Sequence, residues 1–180
     1  MDKKVYPECN RRGFTLVELL VVVSIIAILS VIGLVIFTNV QKNARDAKRK
    51  GDLQAIHTAL EIYKTQNGTY PQTSGWRFSD SASPPWLDGL DSNYMVSMPL
   101  DPKNSGGPSY SGGYTYGYFT STGYGGTNGS YYMLIAHLEI PNDSDKKTTC
   151  TLPDGTRFGS NNSGALEHIY IDNFFVCNQQ

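Results

Sequence analysis

The sequence predicts an α+β fold in which a long N-terminal α-helix packs, through its second half, on a C-terminal head built around an antiparallel β-sheet. Three observations lead to this class. The stretch from Phe14 to Phe37 is apolar apart from Glu18, apolar side chains then recur at helical spacing to about Gln66, and residues 113–180 alternate in the manner of strands. A chain of 180 residues with a formal net charge of -1 has room for one domain and an appendage.

The apolar stretch is predicted to be a membrane-spanning helix. Its 24 residues, 14–37, would extend about 36 Å as an α-helix, which exceeds the roughly 30 Å of a bilayer core. Residues 1–13 carry a net charge of +2 and the remainder -3, so we expect the N-terminus to stay in the cytoplasm and the rest to be exported. A cleaved secretory signal is disfavoured because its apolar core is shorter and ends at a small-x-small site. An ordinary signal anchor remains an alternative.

The first six residues of this region, Gly13-Phe14-Thr15-Leu16-Val17-Glu18, follow a short basic leader and precede a long uncharged run. This combination resembles the processing signature of type IV prepilins and of the pseudopilins of type II secretion systems. The resemblance implies a pilin fold, and it implies that a membrane-embedded prepilin peptidase removes the leader, residues 1–13. The cut would fall between Gly13 and Phe14, and the new amine of Phe14 would then be methylated.

Glu18 is unusual because an acidic side chain at the centre of a membrane helix costs roughly 2.5–3.5 kcal/mol. Cleavage would place an ammonium group on Phe14, at the same end of the helix as this carboxylate. The resemblance implies that the carboxylate pairs with the amine of a neighbouring subunit during assembly, and a buried charge without its partner is strongly destabilising. The positive end of the helix dipole also favours an acidic residue here. The alternative is that Glu18 is an inert charge at the membrane interface.

The helix is predicted to continue beyond the membrane as an amphipathic segment over residues 38–66. Four apolar residues in it are spaced three or four apart and so share one helix face: Leu53, Ile56, Leu60 and Tyr63. Asn67-Gly68 is typical of a C-terminal helix cap, and Pro71 confirms where the helical pattern stops.

Five basic residues lie in the middle of the predicted helix: Lys42, Arg45, Lys48, Arg49 and Lys50. Such a cluster fits the point at which a helix enters the lipid head-group region or the solvated wall of a filament. The stretch Ala44–Pro71 also resembles the corresponding part of the major pseudopilins. Many family members have a helix-kinking proline at the position of Val35, so the resemblance does not carry over the local helix melting proposed for some filaments.

Residues 67–112 are predicted to form a long ordered loop docked by tryptophans, and residues 113–180 to form the sheet. About four strands are expected in it, from the segments Tyr114–Thr120, Tyr131–Glu139, Cys150–Leu152 with Thr156–Phe158, and His168–Cys177.

Cys150 and Cys177 are expected to form a disulfide, since cysteines outside the cytoplasm usually pair. Closing a loop of about 28 residues gains roughly 3.6 kcal/mol in the chain-entropy model. A disulfide-bounded C-terminal region resembles that of a type IV pilin.

No catalytic signature is present in the sequence, and no enzymatic activity is predicted. A nucleophile elbow, a P-loop, a zinc-protease motif and a Cys-x-x-Cys pair are all missing, and the three histidines are scattered. No cofactor and no metal site are predicted, although Asp88, Asp91 and Asp101 are acidic residues that could hold calcium. Their spacing does not match an EF-hand loop.

The Gly- and Tyr-rich run from Gly106 to Tyr132 fits a half-exposed hairpin better than a stacking surface for bases or sugars.

The resemblance implies a structural subunit of a type IV pilus-like filament, a helical homopolymer of cleaved prepilins. Its partners would be the prepilin peptidase, an inner-membrane assembly platform and, before extraction, the membrane itself. The final product would be an extracellular pilus or a periplasmic filament. The major pseudopilin of a type II secretion system, which would bind calcium, is the alternative within the class. A DNA-capturing competence pilin is disfavoured because acidic residues outnumber the five basic ones of 72–180. An unrelated membrane-anchored protein would keep its leader.

Overall fold

The computed structural model describes residues 13–80, 86–90, 93–120, 127–145, 148–159, 168–169 and 172–178. Apart from Gly13, the predicted leader lies outside these residues. The chain divides into two compact units, Met1–Val40 and Gln41–Gln180. The first unit contains the apolar helical stretch, and the second contains the amphipathic stretch and the strands.

A single helix, α1, runs from Leu16 to Asn67 and is 52 residues long. Its described side chains up to Val40 are exposed. Among the described residues, α1 is the one helix long and apolar enough to cross a membrane. The hydroxyls of Ser24 and Ser30 donate to the carbonyl oxygens of Leu20 and Ile26, each at 2.7 Å. These polar groups are therefore satisfied inside the helix, as a lipid environment requires.

In the second unit, α1 buries one apolar face. Leu53, Ile56 and Leu60 have no exposed surface, which agrees with their spacing in the sequence. The helix ends where Gly68 adopts a φ of +80° and its N–H donates to the carbonyl oxygen of Lys64 at 2.8 Å. Glycine adopts this left-handed conformation without strain, so it stops the helix at low cost.

Within the described ranges, seven strands accompany the helix: β1 Arg77–Phe78, β2 Tyr116–Phe119, β3 Met133–His137, β4 Thr149–Thr151, β5 Arg157–Gly159, β6 His168–Ile169 and β7 Asn173–Cys177. They form a four-stranded antiparallel sheet in the order β1-β2-β3-β7 and a three-stranded sheet in the order β4-β5-β6. A short 3-10 turn covers Ser109–Ser111. A long helix followed by a mainly antiparallel head confirms the predicted α+β class.

The strands differ from the predicted single sheet in three respects. The segments Cys150–Leu152 and Thr156–Phe158 contribute β4 and β5 to a separate sheet. Strand β1 lies inside the segment 67–112 that is predicted to be a loop, and it pairs with β2. The last predicted strand, His168–Cys177, is divided between the two sheets, with β6 parallel to β5 and β7 antiparallel to β3. Asp172, just before β7, has a φ of 59°. A non-glycine residue in this region cannot continue an extended strand, so the chain turns there.

The four-stranded sheet separates two apolar clusters because successive side chains of a strand point to opposite faces. Tyr116, Tyr118 and Leu134 pack with the apolar face of α1. Phe119, Met133 and Ile135 belong to a second cluster, which includes side chains of β4 and β5. The head therefore has three layers. The second part of α1 packs on one face of the four-stranded sheet, and the smaller sheet packs on the other face.

A disulfide joins Cys150 of β4 to Cys177 of β7, with Cα atoms 5.9 Å apart. It connects the smaller sheet covalently to the four-stranded sheet. The two cysteines are 27 positions apart in the chain. A closed loop of this length gains roughly 3.6 kcal/mol in the chain-entropy model.

Candidate functional site

The N-terminal end of α1 is closed by three reciprocal hydrogen bonds between Thr15 and Glu18. The backbone N–H and the hydroxyl of Thr15 both donate to Oε2 of Glu18 at 2.8 Å. In return, the backbone N–H of Glu18 donates to the Thr15 hydroxyl oxygen at 3.2 Å. This arrangement is a capping box, which satisfies N–H groups that have no partner in the first helical turn. No role was predicted for Thr15, although its Thr-x-x-Glu spacing is the sequence signature of such a box.

The capping box uses one oxygen of the Glu18 carboxylate. Within the described part of the chain, Oε2 accepts both Thr15 hydrogen bonds and Oε1 accepts none. Gly13 and Phe14 precede the helix, and Phe14 is 85% exposed. The carboxylate thus lies within a few residues of the Gly13–Phe14 peptide bond and has one oxygen available for a further donor.

A second polar cluster lies in the head around Arg49, whose side chain has no exposed surface. Its guanidinium donates to both carboxylate oxygens of Asp101, at 2.7 and 3.0 Å, and to Asp46 at 2.7 Å. It also donates to Glu139 at 3.0 Å. Burial alone would lower the pKa of Arg49, but its hydrogen bonds to Asp101, Asp46 and Glu139 outweigh burial and raise that pKa. Arg49 therefore stays charged in the core because three carboxylates surround it.

Glu139, just after β3, is the most heavily paired acid of this cluster. Arg45 donates to both of its carboxylate oxygens, at 2.6 and 2.8 Å, and the Lys103 ammonium lies 2.9 Å away. The hydrogen bond from Arg45 holds the pKa of Glu139 well below its usual range, although burial opposes this shift. Asp46 accepts the backbone N–H groups of Glu139 and Ile140. The network therefore fastens the end of β3 to α1.

The basic cluster of α1 was predicted to face lipid head groups or the solvated wall of a filament, and the structure corrects this expectation for Arg49, whose side chain is buried. Arg45 and Arg49 are held by the carboxylates described above. Lys48 pairs with Asp52 at 2.6 Å and Lys50 with Asp145 at 2.5 Å. Four of the five basic side chains therefore have acidic partners within the head, three of them distant in sequence.

The two candidate calcium ligands that the structure describes, Asp88 and Asp101, belong to no metal-binding group of described side chains. Asp101 is engaged by Arg49 and by the backbone N–H of Lys103, Asp88 is exposed, and Asp91 lies outside the described residues. Across the described ranges, no group of three or more His, Cys, Asp or Glu side chains is arranged to hold a metal ion. The Asp101 carboxylate is already neutralised by the buried Arg49, so it does not fit a cation site. We therefore assign no role to calcium.

The pairing of Glu139 predicts a loss of stability in acid. Its pKa is lowered from 4.5 on folding, so its contribution is complete above about pH 4.5 and is lost as pH falls through the folded-state pKa. We expect the free energy of unfolding of the full chain in detergent to fall below pH 4.5. Glu139→Gln should reduce the slope of that fall, because glutamine does not titrate. An equally steep fall in both proteins would contradict this assignment.

Comparison with known proteins shows which families this chain is similar to. The prokaryotic N-terminal methylation motif matches residues 9–34. The chain is 34% identical over 103 residues to the type II secretion system core protein G of Klebsiella pneumoniae, covering 53% of this chain and 71% of that protein. The core protein G of Pseudomonas aeruginosa is 32% identical over 97 residues, covering 52% and 68%. The type IV major pilin protein PilA of Myxococcus xanthus is 37% identical over 61 residues, covering 34% and 28%.

Solved structures give no significant match. The chain combines an N-terminal methylation motif, a helix long and apolar enough to cross a membrane, and an α+β head. These features define a class of membrane-anchored subunits. The chain belongs to the family of type IV pilins and type II secretion pseudopilins.

Proposed function

We propose that the protein is the structural subunit of a type IV pilus-like filament, synthesised as a prepilin and assembled through α1. The observation that carries this proposal is the first part of α1, whose described apolar side chains are exposed up to Val40 and which overlaps the methylation motif at residues 9–34. In the membrane, lipid covers such a surface. In a filament, the corresponding helices of neighbouring copies cover it, and residues 14–37 form the filament core.

Processing begins with the leader, residues 1–13, on the cytoplasmic side, because its basic residues favour retention there. The prepilin peptidase cleaves between Gly13 and Phe14 and methylates the Phe14 amine. The exposed, non-helical conformation of Gly13 and Phe14 supports access of a protease to this bond. The mature chain then comprises the core helix, the amphipathic segment 38–66, the loop region 67–112 and the sheet region 113–180.

Glu18 sets the register of assembly. Oε1 of its carboxylate is available to accept from the Phe14 ammonium of a neighbouring copy, while Oε2 stays in the capping box. Moving an apolar helix from lipid to neighbouring helices gains little hydrophobic free energy, since lipid tails are as apolar as the side chains. Packing and charge neutralisation therefore select the binding position, and an inner-membrane assembly platform drives extraction.

The major pseudopilin of a type II secretion system is the second candidate, because core protein G of several bacteria is 32–34% identical to this chain over 97–103 residues, which cover 52–53% of this chain. It would form a periplasmic filament instead of a surface pilus. A DNA-capturing competence pilin is disfavoured by the acidic head. Neither candidate requires enzymatic activity.

Fractionation of the native cell tests the filament proposal. We expect peptides of this chain in filaments sheared from the cell surface, and a loss of these filaments when the prepilin peptidase is deleted. The same chain confined to periplasmic filaments, with a secretion defect on its deletion, would support the pseudopilus. A chain found as membrane monomer under conditions in which other pilins assemble would contradict both.

A further inference from the structure

The two cysteine residues of the disulfide differ in their exposure to solvent. Cys150 has no exposed surface and lies in the second apolar cluster with Phe119, Ile135 and Phe158. Cys177 is partly exposed and ends strand β7. A reagent in solution therefore cannot reach Cys150 in the folded chain, whereas Cys177 offers a point of attack.

The strands that carry the cysteines are held by contacts that do not depend on the disulfide. Strand β7 pairs with β3, which places Cys177 opposite Met133, and β4 pairs with β5, which places Cys150 opposite Phe158. The backbone N–H of Phe175 in β7 also donates to the Thr148 hydroxyl, next to β4, at 3.2 Å. If the disulfide opened, Cys150 would thus stay beside Cys177 at a high effective concentration.

We propose that Cys177 is the entry sulfur for thiol–disulfide exchange and that Cys150 is the resolving cysteine. In exchange, a thiolate attacks Sγ of Cys177, a bond forms between the two sulfurs, and the Cys150–Cys177 bond breaks with its electron pair leaving on Cys150. In the return step, the Cys150 thiolate attacks Cys177 and expels the original thiolate. Charge and sulfur oxidation state balance in each step.

Disulfide formation would use the same order. The Cys177 thiolate attacks the disulfide of an oxidant, which gives a mixed disulfide on Cys177 and releases one thiol. Cys150 then attacks Cys177 and releases the second thiol, so the dithiol is oxidised and the oxidant disulfide is reduced by two electrons. Because the paired strands keep Cys150 next to Cys177, this second step is intramolecular.

Variants of the full chain in detergent that keep one of the two disulfide cysteines test this order. Cys9, the third cysteine of the chain, is replaced by serine in every sample so that it cannot react. Oxidised glutathione is the probe, and mixed disulfides are located by peptide mass spectrometry. In Cys150→Ser, Cys177 should form its mixed disulfide at least about tenfold faster than Cys150 does in Cys177→Ser, because reactivity follows access. In guanidinium chloride the two rates should become equal. Equal rates under native conditions would overturn the proposal.

A second measurement on the chain with both cysteines guards against misfolding of either variant. Reduced glutathione is added in excess under native conditions, the reaction is quenched with acid, and the remaining thiols are alkylated after the chain has been denatured. We expect glutathione on Cys177 and the alkyl group on Cys150. Glutathione distributed equally between them, found mainly on Cys150, or attached only after a denaturant is added would each contradict the assignment.

Discussion

Replacing Glu18 by alanine is expected to abolish filament assembly while leaving membrane insertion and cleavage after Gly13 intact. The variant removes the carboxylate that would neutralise the Phe14 ammonium of a neighbouring copy. Breaking a buried ion pair by deleting one partner costs about 3–5 kcal/mol, which is more than a hundredfold in each association equilibrium. The measurement is the ratio of sheared filament protein to membrane-bound protein, together with the mass of the membrane-bound chain.

The capping box complicates the interpretation of this variant, because alanine also removes the hydrogen bonds that Thr15 makes to Glu18. Glu18→Gln separates the two roles. Glutamine can serve in a capping box as glutamate does, yet it carries no charge. If charge pairing drives assembly, Glu18→Gln should fail as completely as Glu18→Ala. Normal filaments from Glu18→Gln would assign the effect to the cap and contradict the pairing.

Replacing Arg49 by methionine is expected to lower the free energy of unfolding by about 3–5 kcal/mol, the usual cost of leaving buried charges unpaired. Methionine fills much of the same space but leaves Asp46, Asp101 and Glu139 facing one another without their shared cation. The full chain in detergent can be unfolded with urea and followed by tryptophan fluorescence. Trp86 is buried in the head and donates to the carbonyl oxygen of Pro99 at 3.1 Å, so its emission reports on this packing.

Lys48→Met is the matched control, since Lys48 is on the same helix and also has an acidic partner. Its side chain is 53% exposed, and its pair with Asp52 is an i,i+4 pair on the helix surface. Such pairs contribute about 0.3–0.5 kcal/mol. A loss in Arg49→Met no larger than that in Lys48→Met would show that the buried network does not stabilise the head.

The helix could be predicted from the sequence because the features that indicate it lie close together in the chain. An apolar run of membrane length, a three-four spacing of buried residues and the pair Asn67-Gly68 each depend on neighbours within a turn or two. The start of α1 carries the same kind of signal in Thr15 and Glu18. The class of fold followed from these signals and from the alternation of the later strands.

The division of the strands into two sheets was not open to prediction in the same way. Strand β1 has two residues, too few to show alternation, and its assignment depends on pairing with β2 far along the chain. The break between β6 and β7 depends on the backbone of Asp172, a residue type that is common in both turns and loops. Pairing partners are chosen by tertiary packing, which a single sequence does not display.

The ion-pair network around Arg49 could not be predicted from the sequence for the same reason. Arg49 looks like one member of a basic cluster, and the local signal is at most the spacing to Asp46 on the helix. Its other partners, Asp101 and Glu139, lie 52 and 90 positions away. The expectation that the basic cluster faces lipid or solvent was therefore wrong for Arg49, and for a physical reason: two of the three acids that neutralise it come from distant segments. The same pairing removes Asp101 from the candidate calcium ligands.

The central claim is that this chain is a cleaved prepilin, and the N-terminus of the protein in its native cell tests it most directly. Intact-mass measurement and N-terminal peptide analysis would identify the first residue and any modification of its amine. We expect a chain that begins at Phe14 and carries a methyl group on its amine. A chain that still begins at Met1, in cells with an active prepilin peptidase, would contradict the claim.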